Sequence, residues 1–276
     1  LSDFIIKDYK YEDLNISGTC KNKSFTPKME LIDKYIHLDF MGNIDLNKPE
    51  TEFDFSLDIK NAFLGKIGFL ANHPEGEASF KTYLNGFGND WKDFTGFANM
   101  EDVKFIENGK TYTFGNIDFD SQSNSYNHIL NFSSDFISFN ILGDFKFDKL
   151  SKDLNYLFAT IFPNLSEPLD YILTKQYVEF DVEIRDFSKI SAVFFPYLDI
   201  AKATKLKFYL DGEKELLNFS FNSNKVQYDN FILNNINFNI KDQQEIYLDS
   251  NLKLILSIDE FINNQILNFQ NIEINT

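Results

Sequence analysis

The feature that most constrains the fold of this chain is a two-residue alternation of apolar and polar side chains. In residues 52–60 every second residue, from Phe53 to Ile59, is apolar, and the residues between them are polar or charged. Runs of the same kind cover residues 36–46, 130–132, 137–147, 178–184, 206–210, 217–221, 236–240 and 252–258. Because successive side chains of a strand point to opposite faces, each run predicts a strand with one apolar and one solvated face. Such alternation is typical of antiparallel sheets.

Breaks in the alternation predict the connections between strands. Residues 108–110 read NGK, residues 211–214 read DGEK, and residues 222–224 lie in an Asn- and Ser-rich stretch. Short segments of this composition between apolar runs favour hairpin turns. We therefore expect three hairpins at these positions.

Two segments depart from the period of two. The apolar residues of the first are spaced i, i+4, i+7, i+8 and i+11, and they are Leu150, Leu154, Leu157, Phe158 and Ile161. This spacing predicts an amphipathic helix near residues 149–162. A shorter segment, residues 187–198, predicts one or two further helical turns before Pro196. Since no Pro/Gly linker or charge run divides the chain, residues 1–276 are predicted to form one continuous domain.

Composition and charge exclude several classes of function. The formal net charge is −16, and Arg185 is the only arginine. Nucleic acids and anionic membrane surfaces are bound by clustered Lys and Arg, so neither is an expected partner. Cys20 is the only cysteine, which rules out an intrachain disulfide and a cysteine-based metal site. No apolar run reaches the length of about 18 residues of a transmembrane helix.

Candidate catalytic and metal-binding residues are few. The three histidines, His37, His73 and His128, have no other His or Cys at ligand spacing, and we interpret them as scattered surface residues. The acidic row that begins at Glu52 and ends at Asp58 lacks the sharp glycine turn of a calcium loop, so a solvated strand face is the better interpretation. We therefore predict that the chain is not an enzyme and has no catalytic residue, cofactor or metal.

The apolar face of the strands remains as the candidate functional surface. Two such faces can pack together as the core of a closed sandwich or barrel. Alternatively, a single sheet can bend into an open trough whose apolar face stays available to a ligand. The alternation is the same in both cases and leaves both interpretations open.

Several short motifs occur in order along the chain. A WKDFTG element at residues 91–96 precedes an NGKTYT turn at 108–113, an SDF step at 134–136 and a GDF strand at 143–145, which runs into a helix that ends in Pro163-Asn164-Leu165. Residues 194–212 and 226–257 continue the pattern. In these motifs the chain resembles the TamB branch of the AsmA-like proteins, in its Bacteroidetes-type form. The resemblance is carried by residues 84–154 and the later segments, covers about two-thirds of the chain and is weakest before residue 50.

The resemblance implies a mostly β fold known as a β-taco, an elongated antiparallel sheet curled into a U-shaped trough. It implies a conduit that carries phospholipid across the periplasm toward the outer membrane, as part of a longer protein anchored in the inner membrane outside this segment. An outer-membrane barrel-assembly protein and adjoining strands of the same longer chain are the expected partners. A β-rich structural or assembly scaffold with a closed core is the alternative.

The predicted trough has a specific lining. The lining residues lie at every second position, on the apolar side of the predicted strands, and they are Phe53, Phe55, Leu57, Phe132, Phe139, Ile141, Phe145, Phe147, Phe180, Phe208, Phe219, Phe221, Ile236, Phe238, Leu254 and Leu256.

Overall fold

The computed structural model of the protein describes residues 4–89, 93–123, 127–161, 171–214, 216–242, 252–263 and 267–275. Within these ranges the chain forms eighteen strands and two helices. The strands are β1 (Phe4–Ile6), β2 (Tyr9–Tyr11), β3 (Leu14–Lys21), β4 (Ser24–Ile32), β5 (Ile36–Asp45), β6 (Glu52–Phe63), β7 (Glu77–Phe87), β8 (Thr95–Glu107), β9 (Lys110–Ser123), β10 (His128–Ser134), β11 (Ile137–Asp144), β12 (Tyr177–Ile184), β13 (Leu198–Ile200), β14 (Thr204–Asp211), β15 (Leu216–Tyr228), β16 (Phe231–Asp242), β17 (Leu252–Asn263) and β18 (Leu267–Asn275). The helices are α1 (Phe147–Ile161) and α2 (Ser188–Phe194).

The strands from β3 onward form one antiparallel sheet. They follow one another in chain order, except that β13 pairs with β15 beside the main path, while β1 and β2 form a separate hairpin. Among the described residues, the edge strands β3 and β18 each have one neighbour, so the sheet does not close on itself. The prediction of a mostly β fold with one antiparallel sheet and two short helices is confirmed. An open sheet is consistent with the predicted U-shaped trough.

Two of the three predicted hairpin turns are confirmed. Asn108 and Gly109 join β8 to β9 with φ angles of 50° and 74°, the left-handed conformation that a two-residue hairpin requires. The turn after Asp211 joins β14 to β15, and the Asp211 carboxylate accepts hydrogen bonds from the backbone N–H groups of Glu213 (3.2 Å) and Lys214 (3.1 Å).

The turn predicted at residues 222–224 is wrong, because β15 runs through this stretch without a break. Ser223 is paired with Ile236 of β16, and its side chain is buried. Its hydroxyl lies 2.7 Å from that of Thr204 and donates to the backbone carbonyl of Lys225 (2.9 Å). Polar residues remain within a strand when neighbouring groups satisfy their hydrogen bonds.

Helix α1 confirms the helix predicted near residues 149–162, while residue 162 lies outside the described residues. The predicted apolar face is only partly buried, because Leu154 is 39% exposed. Instead, Asp153 is fully buried and accepts hydrogen bonds from the backbone N–H of Thr174 (3.1 Å), the Thr174 hydroxyl and the Gln176 side-chain amide (2.5 Å). Asp153 therefore fixes α1 to the segment that leads into β12.

We expect replacement of Asp153 by alanine to lower the free energy of unfolding by about 2–3 kcal/mol, because it leaves buried donors without an acceptor. Replacement of Asn155, which is exposed on the same helix, should change it by less than about 0.5 kcal/mol. Urea denaturation measures both values. Equal effects of the two substitutions would contradict the proposed anchor.

The pH dependence of this contact follows from its hydrogen bonds. Burial alone raises the pKa of the Asp153 carboxyl, but hydrogen bonds from Thr174, Gln176 and Tyr171 hold its pKa below the usual value. Because the pKa is lowered in the folded state, the stabilisation is complete above the unfolded pKa of about 3.9 and is lost as the pH falls below it.

The chain divides into two compact units. Unit 1 comprises Leu1–Ser123 with Asn131–Asp135, and unit 2 comprises Asn124–Leu130 with Phe136–Thr276. The second predicted helical segment is confirmed in unit 2 as α2, which is shorter than the predicted range.

Candidate functional site

In unit 1 the register of the strands places one row of apolar side chains after another on the same face of the sheet. Directly paired residues of antiparallel strands share a face. Phe40 pairs with Leu57, and Ile44 pairs with Phe53. Phe55 pairs with Leu84 of β7. We call the residues on this side, from β3 to β9, the apolar face of unit 1.

Unit 2 has an apolar face of its own. Phe180 pairs with Phe208, Phe208 with Phe219, and Phe219 with Ile240. A second row lies beside the first. In it Phe221 pairs with Phe238, Phe238 with Leu256, and Leu256 with Ile274 of β18. The register places ten members of the predicted lining on this face, and they are Phe139, Ile141, Phe180, Phe208, Phe219, Phe221, Ile236, Phe238, Leu254 and Leu256.

The strand pairings above do not include three other predicted lining residues. Phe132 is half-buried in β10. Phe145 follows the end of β11, and its ring stacks on that of His128 at a centroid distance of 6.2 Å. The strand predicted to reach residue 147 is wrong, because β11 ends at Asp144 and Phe147 begins α1. The side chain of Phe147 lies outside the described residues.

The predicted lining also omitted residues that belong to the apolar face of unit 1. Phe40 and Phe119 both lie on it, paired with Leu57 and Ala98 respectively. The alternation in residues 36–40 and 117–120 marks both positions, so the sequence contained the signal.

The side chains of both apolar faces are partly exposed. Every predicted lining residue whose side chain is described is half-buried, except Ile236, which is 7% exposed. Among the phenylalanines whose side chains are described, only Phe105 (3% exposed) and Phe114 (5% exposed) are buried. In a closed sandwich the phenylalanines in the middle of strands would form the core and be buried. The two apolar faces are therefore partly accessible.

One side of the apolar face of unit 1 is covered by the N-terminal hairpin. Tyr11 of β2 forms a buried cluster together with Leu14, Leu31, Ile36, Leu38, Ala62 and Ile67. Asp33 fixes this hairpin by accepting hydrogen bonds from the Tyr9 hydroxyl and the backbone N–H groups of Glu12 (2.9 Å) and Tyr35 (3.0 Å). Burial and the hydrogen bond to Asp33 raise the pKa of Tyr9.

The opposite side of this face ends in a stack of three aromatic rings. The Phe94 ring lies between those of Phe53 (5.7 Å, 14° between planes) and Phe119 (6.3 Å, 15°). Phe53 and Phe119 are on the sheet, whereas Phe94 lies in the connection between β7 and β8. We call this stack of Phe53, Phe94 and Phe119 the aromatic wall. The half-buried phenylalanines of unit 1 thus lie between the aromatic wall and the buried cluster around Tyr11.

Buried residues also occupy two ends of the apolar face of unit 2. Val178, Leu210 and Leu217 are at most 7% exposed and belong to one row. Thr204 and Ser223 are buried at the other end of the same strands. The half-buried phenylalanines lie between these ends, in the middle of the strands.

The other face of each unit, which we call the polar face, carries charged side chains, and in unit 1 it also carries the exposed rings of Tyr83, Phe87 and Phe97. Lys60 and Asp39 form an ion pair of 2.7 Å in unit 1, and Lys207 and Asp181 form one of 2.8 Å in unit 2. Exposed pairs of this kind contribute little to stability but keep the surface hydrated. The acidic row from Glu52 to Asp58 lies on this side, where Asp54 pairs with Asn85 and Asp58 with Lys81 of β7, while Glu52 pairs with Phe87.

The interpretation of the histidines as surface residues is wrong for His73. The His73 Nδ1 atom lies 2.9 Å from both carboxylate oxygens of Glu107, and its ring packs edge-on against Phe105. His128 is half-buried, as is His37, and burial lowers the pKa of the His128 imidazole.

His37 belongs to a group that could hold a cation. Glu30, His37 and Asp39 each offer one ligand atom, and these three atoms lie within 4.8 Å of one another. The Lys60 Nζ atom is 2.7 Å from Asp39 Oδ2 and 3.3 Å from His37 Nε2. The Lys60 ammonium therefore already places a positive charge beside Asp39 and His37.

Comparisons with family models, with curated proteins and with solved structures found no match for this chain. Within the part of the chain that the structure describes, neither helix has the length and apolar character needed to cross a membrane.

Proposed function

We propose that this chain is a lipid-transfer conduit that carries phospholipid acyl chains along its apolar faces. The observation that carries the proposal is the partial exposure of the phenylalanine rows on the apolar face of each unit. The proposed setting is the periplasm, within a longer protein anchored in the inner membrane outside this segment, with transport toward the outer membrane.

The energetics of acyl chains in water support this proposal. Exposing a tail to water costs about 0.8 kcal/mol per CH₂, or about 12 kcal/mol for a 16-carbon chain. Partly exposed Phe, Ile and Leu side chains offset most of this cost by contact alone. The polar outer face and the net charge of −16 keep a sheet with such a face soluble.

The dimensions also support it. Seven neighbouring strands from β11 to β18, with β13 left aside, span about 29 Å at a strand spacing of about 4.8 Å. One leaflet of a bilayer provides about 15 Å for its tails. The apolar face of unit 2 can therefore accommodate an extended acyl chain that lies across the strands.

The partners proposed with this function are phospholipid, an outer-membrane barrel-assembly protein and adjoining strands of the same longer chain. Strand β3 offers an edge for such strand addition, since all its residues after Leu14 are exposed.

Site-specific photocrosslinking tests the conduit. Phe208 and Lys207 are neighbours on β14 that point to opposite faces, as are Phe55 and Asp54 on β6. A photoreactive amino acid at Phe208 or Phe55 is expected to crosslink to the acyl chains of phospholipid supplied in vesicles, and the same group at Lys207 or Asp54 is not. Equal labelling of the two faces, or no lipid at any position, would favour the scaffold alternative.

A further inference from the structure

The connection between β7 and β8 places an aromatic ring over a stretch of sheet that has no side chains. Gly86 of β7 pairs with Gly96 of β8, and Gly86 also pairs with Phe53 of β6. A Cβ atom added to Gly86 would lie 2.6 Å from Cε2 of Phe94. The Phe94 ring and the backbone carbonyl oxygen of Thr95, which is 2.4 Å from the same Cβ position, thus fill the space that a side chain at Gly86 would take.

The backbone that carries Phe94 is fixed by hydrogen bonds. The hydroxyl of Ser121, which is 1% exposed, donates to the Phe94 carbonyl oxygen over 2.5 Å. At the other end of the connection, the backbone N–H of Asn89 donates to Asp93 Oδ1 (3.0 Å), and that of Thr51 donates to Asn89 Oδ1 (3.2 Å). These hydrogen bonds fix the backbone at Phe94, and stacking between Phe53 and Phe119 holds its ring.

We propose that Phe94 determines specificity by setting the width of the apolar face of unit 1, so that it accepts unbranched acyl chains and rejects chains with a bulky end. This inference rests on the proposed function, and it adds the class of tail that the site takes. The space beneath the ring is bounded by backbone at Gly86 and Gly96, so removal of the ring leaves a gap of about one phenyl group.

The test compares two fatty acids as competitors, palmitic acid and a fatty acid with a terminal phenyl group. A photoreactive amino acid at Leu84, on the apolar face of unit 1, reports crosslinking of labelled palmitate to this unit alone. In the otherwise unchanged chain, palmitate should compete on the order of tenfold better than the phenyl-bearing acid. In the Phe94→Ala chain the difference should fall to within about twofold, because the phenyl group fits the gap.

Phe97→Ala is the matched control, because Phe97 is on the same strand as Gly96 and 43% exposed, and it pairs with Asn85 on the polar face. It should leave the preference unchanged. An unchanged preference in Phe94→Ala would overturn the inference while leaving the conduit intact. Failure of palmitate to label the unchanged chain would instead overturn the proposed function.

Phe94→Leu, which keeps an apolar side chain, should give an intermediate preference. Loss of the fold in both Phe94 variants would overturn the inference, because Phe94 would then be a core residue.

Discussion

Replacement of Phe219 by aspartate is expected to remove bound phospholipid while the protein stays folded. Phe219 is half-buried on the apolar face of unit 2, between Phe208 and Ile240, and its ring contacts that of Phe238 edge-to-face at 5.6 Å. A carboxylate at a half-buried position keeps contact with water. The loss in free energy of unfolding should therefore stay close to the contribution of the partly buried ring, about 1–2 kcal/mol.

The effect on lipid should be much larger. An acyl chain lying across Phe219 would have to displace water from the new carboxylate, and bound lipid should fall on the order of tenfold or more. Mass spectrometry of lipid extracted from the purified protein measures this loss, and thermal denaturation checks the fold. Ser220→Asp is the control, since Ser220 lies next to Phe219 on the polar face and should change neither quantity. Complete unfolding of Phe219→Asp would indicate a closed core.

Replacement of Gly143 by alanine is expected to lower the free energy of unfolding by about 3–5 kcal/mol. Gly143 ends the row of apolar side chains on β11 and has a φ of 157°. A Cβ atom there would lie 2.0 Å from the backbone carbonyl oxygen of Tyr177 on β12. The two strands must therefore separate, and their paired hydrogen bonds must break, before alanine can be accommodated.

Gly109→Ala is the matched control, because Gly109 also has a positive φ (74°), but no atom lies within 4 Å of an added Cβ. This change should cost about 1 kcal/mol, from backbone conformation alone. Urea denaturation of the two variants measures the difference. Similar losses in both would mean that the close approach of β11 and β12 is relaxed in solution.

The elements that could be predicted from the sequence are those determined by neighbours in the chain. The alternation in residues 52–60 predicted β6, the NGK segment predicted the turn at Asn108 and Gly109, and the helical spacing predicted α1. In each case the period or the turn residues depend on local geometry alone.

The errors occurred where a distant residue changes the outcome. The polar residues 222–224 remain in a strand because Thr204 is hydrogen-bonded to Ser223. Asp153 is buried on α1 because Thr174 and Gln176 donate to it. Nothing within a few positions of these residues indicates either partner.

The sequence by itself determined which side chains share a face, because a strand turns successive residues to opposite sides whatever it pairs with. It therefore predicted the apolar side of each strand, such as the side of β15 that carries Phe219 and Phe221. Only the tertiary structure decided that Phe180, Phe208, Phe219 and Phe238 come together and remain half-buried. It also decided that Phe94, in the connection between β7 and β8, stacks between Phe53 and Phe119. The physical reason is that exposure depends on what covers a face, and the covering residues come from segments far away in the chain.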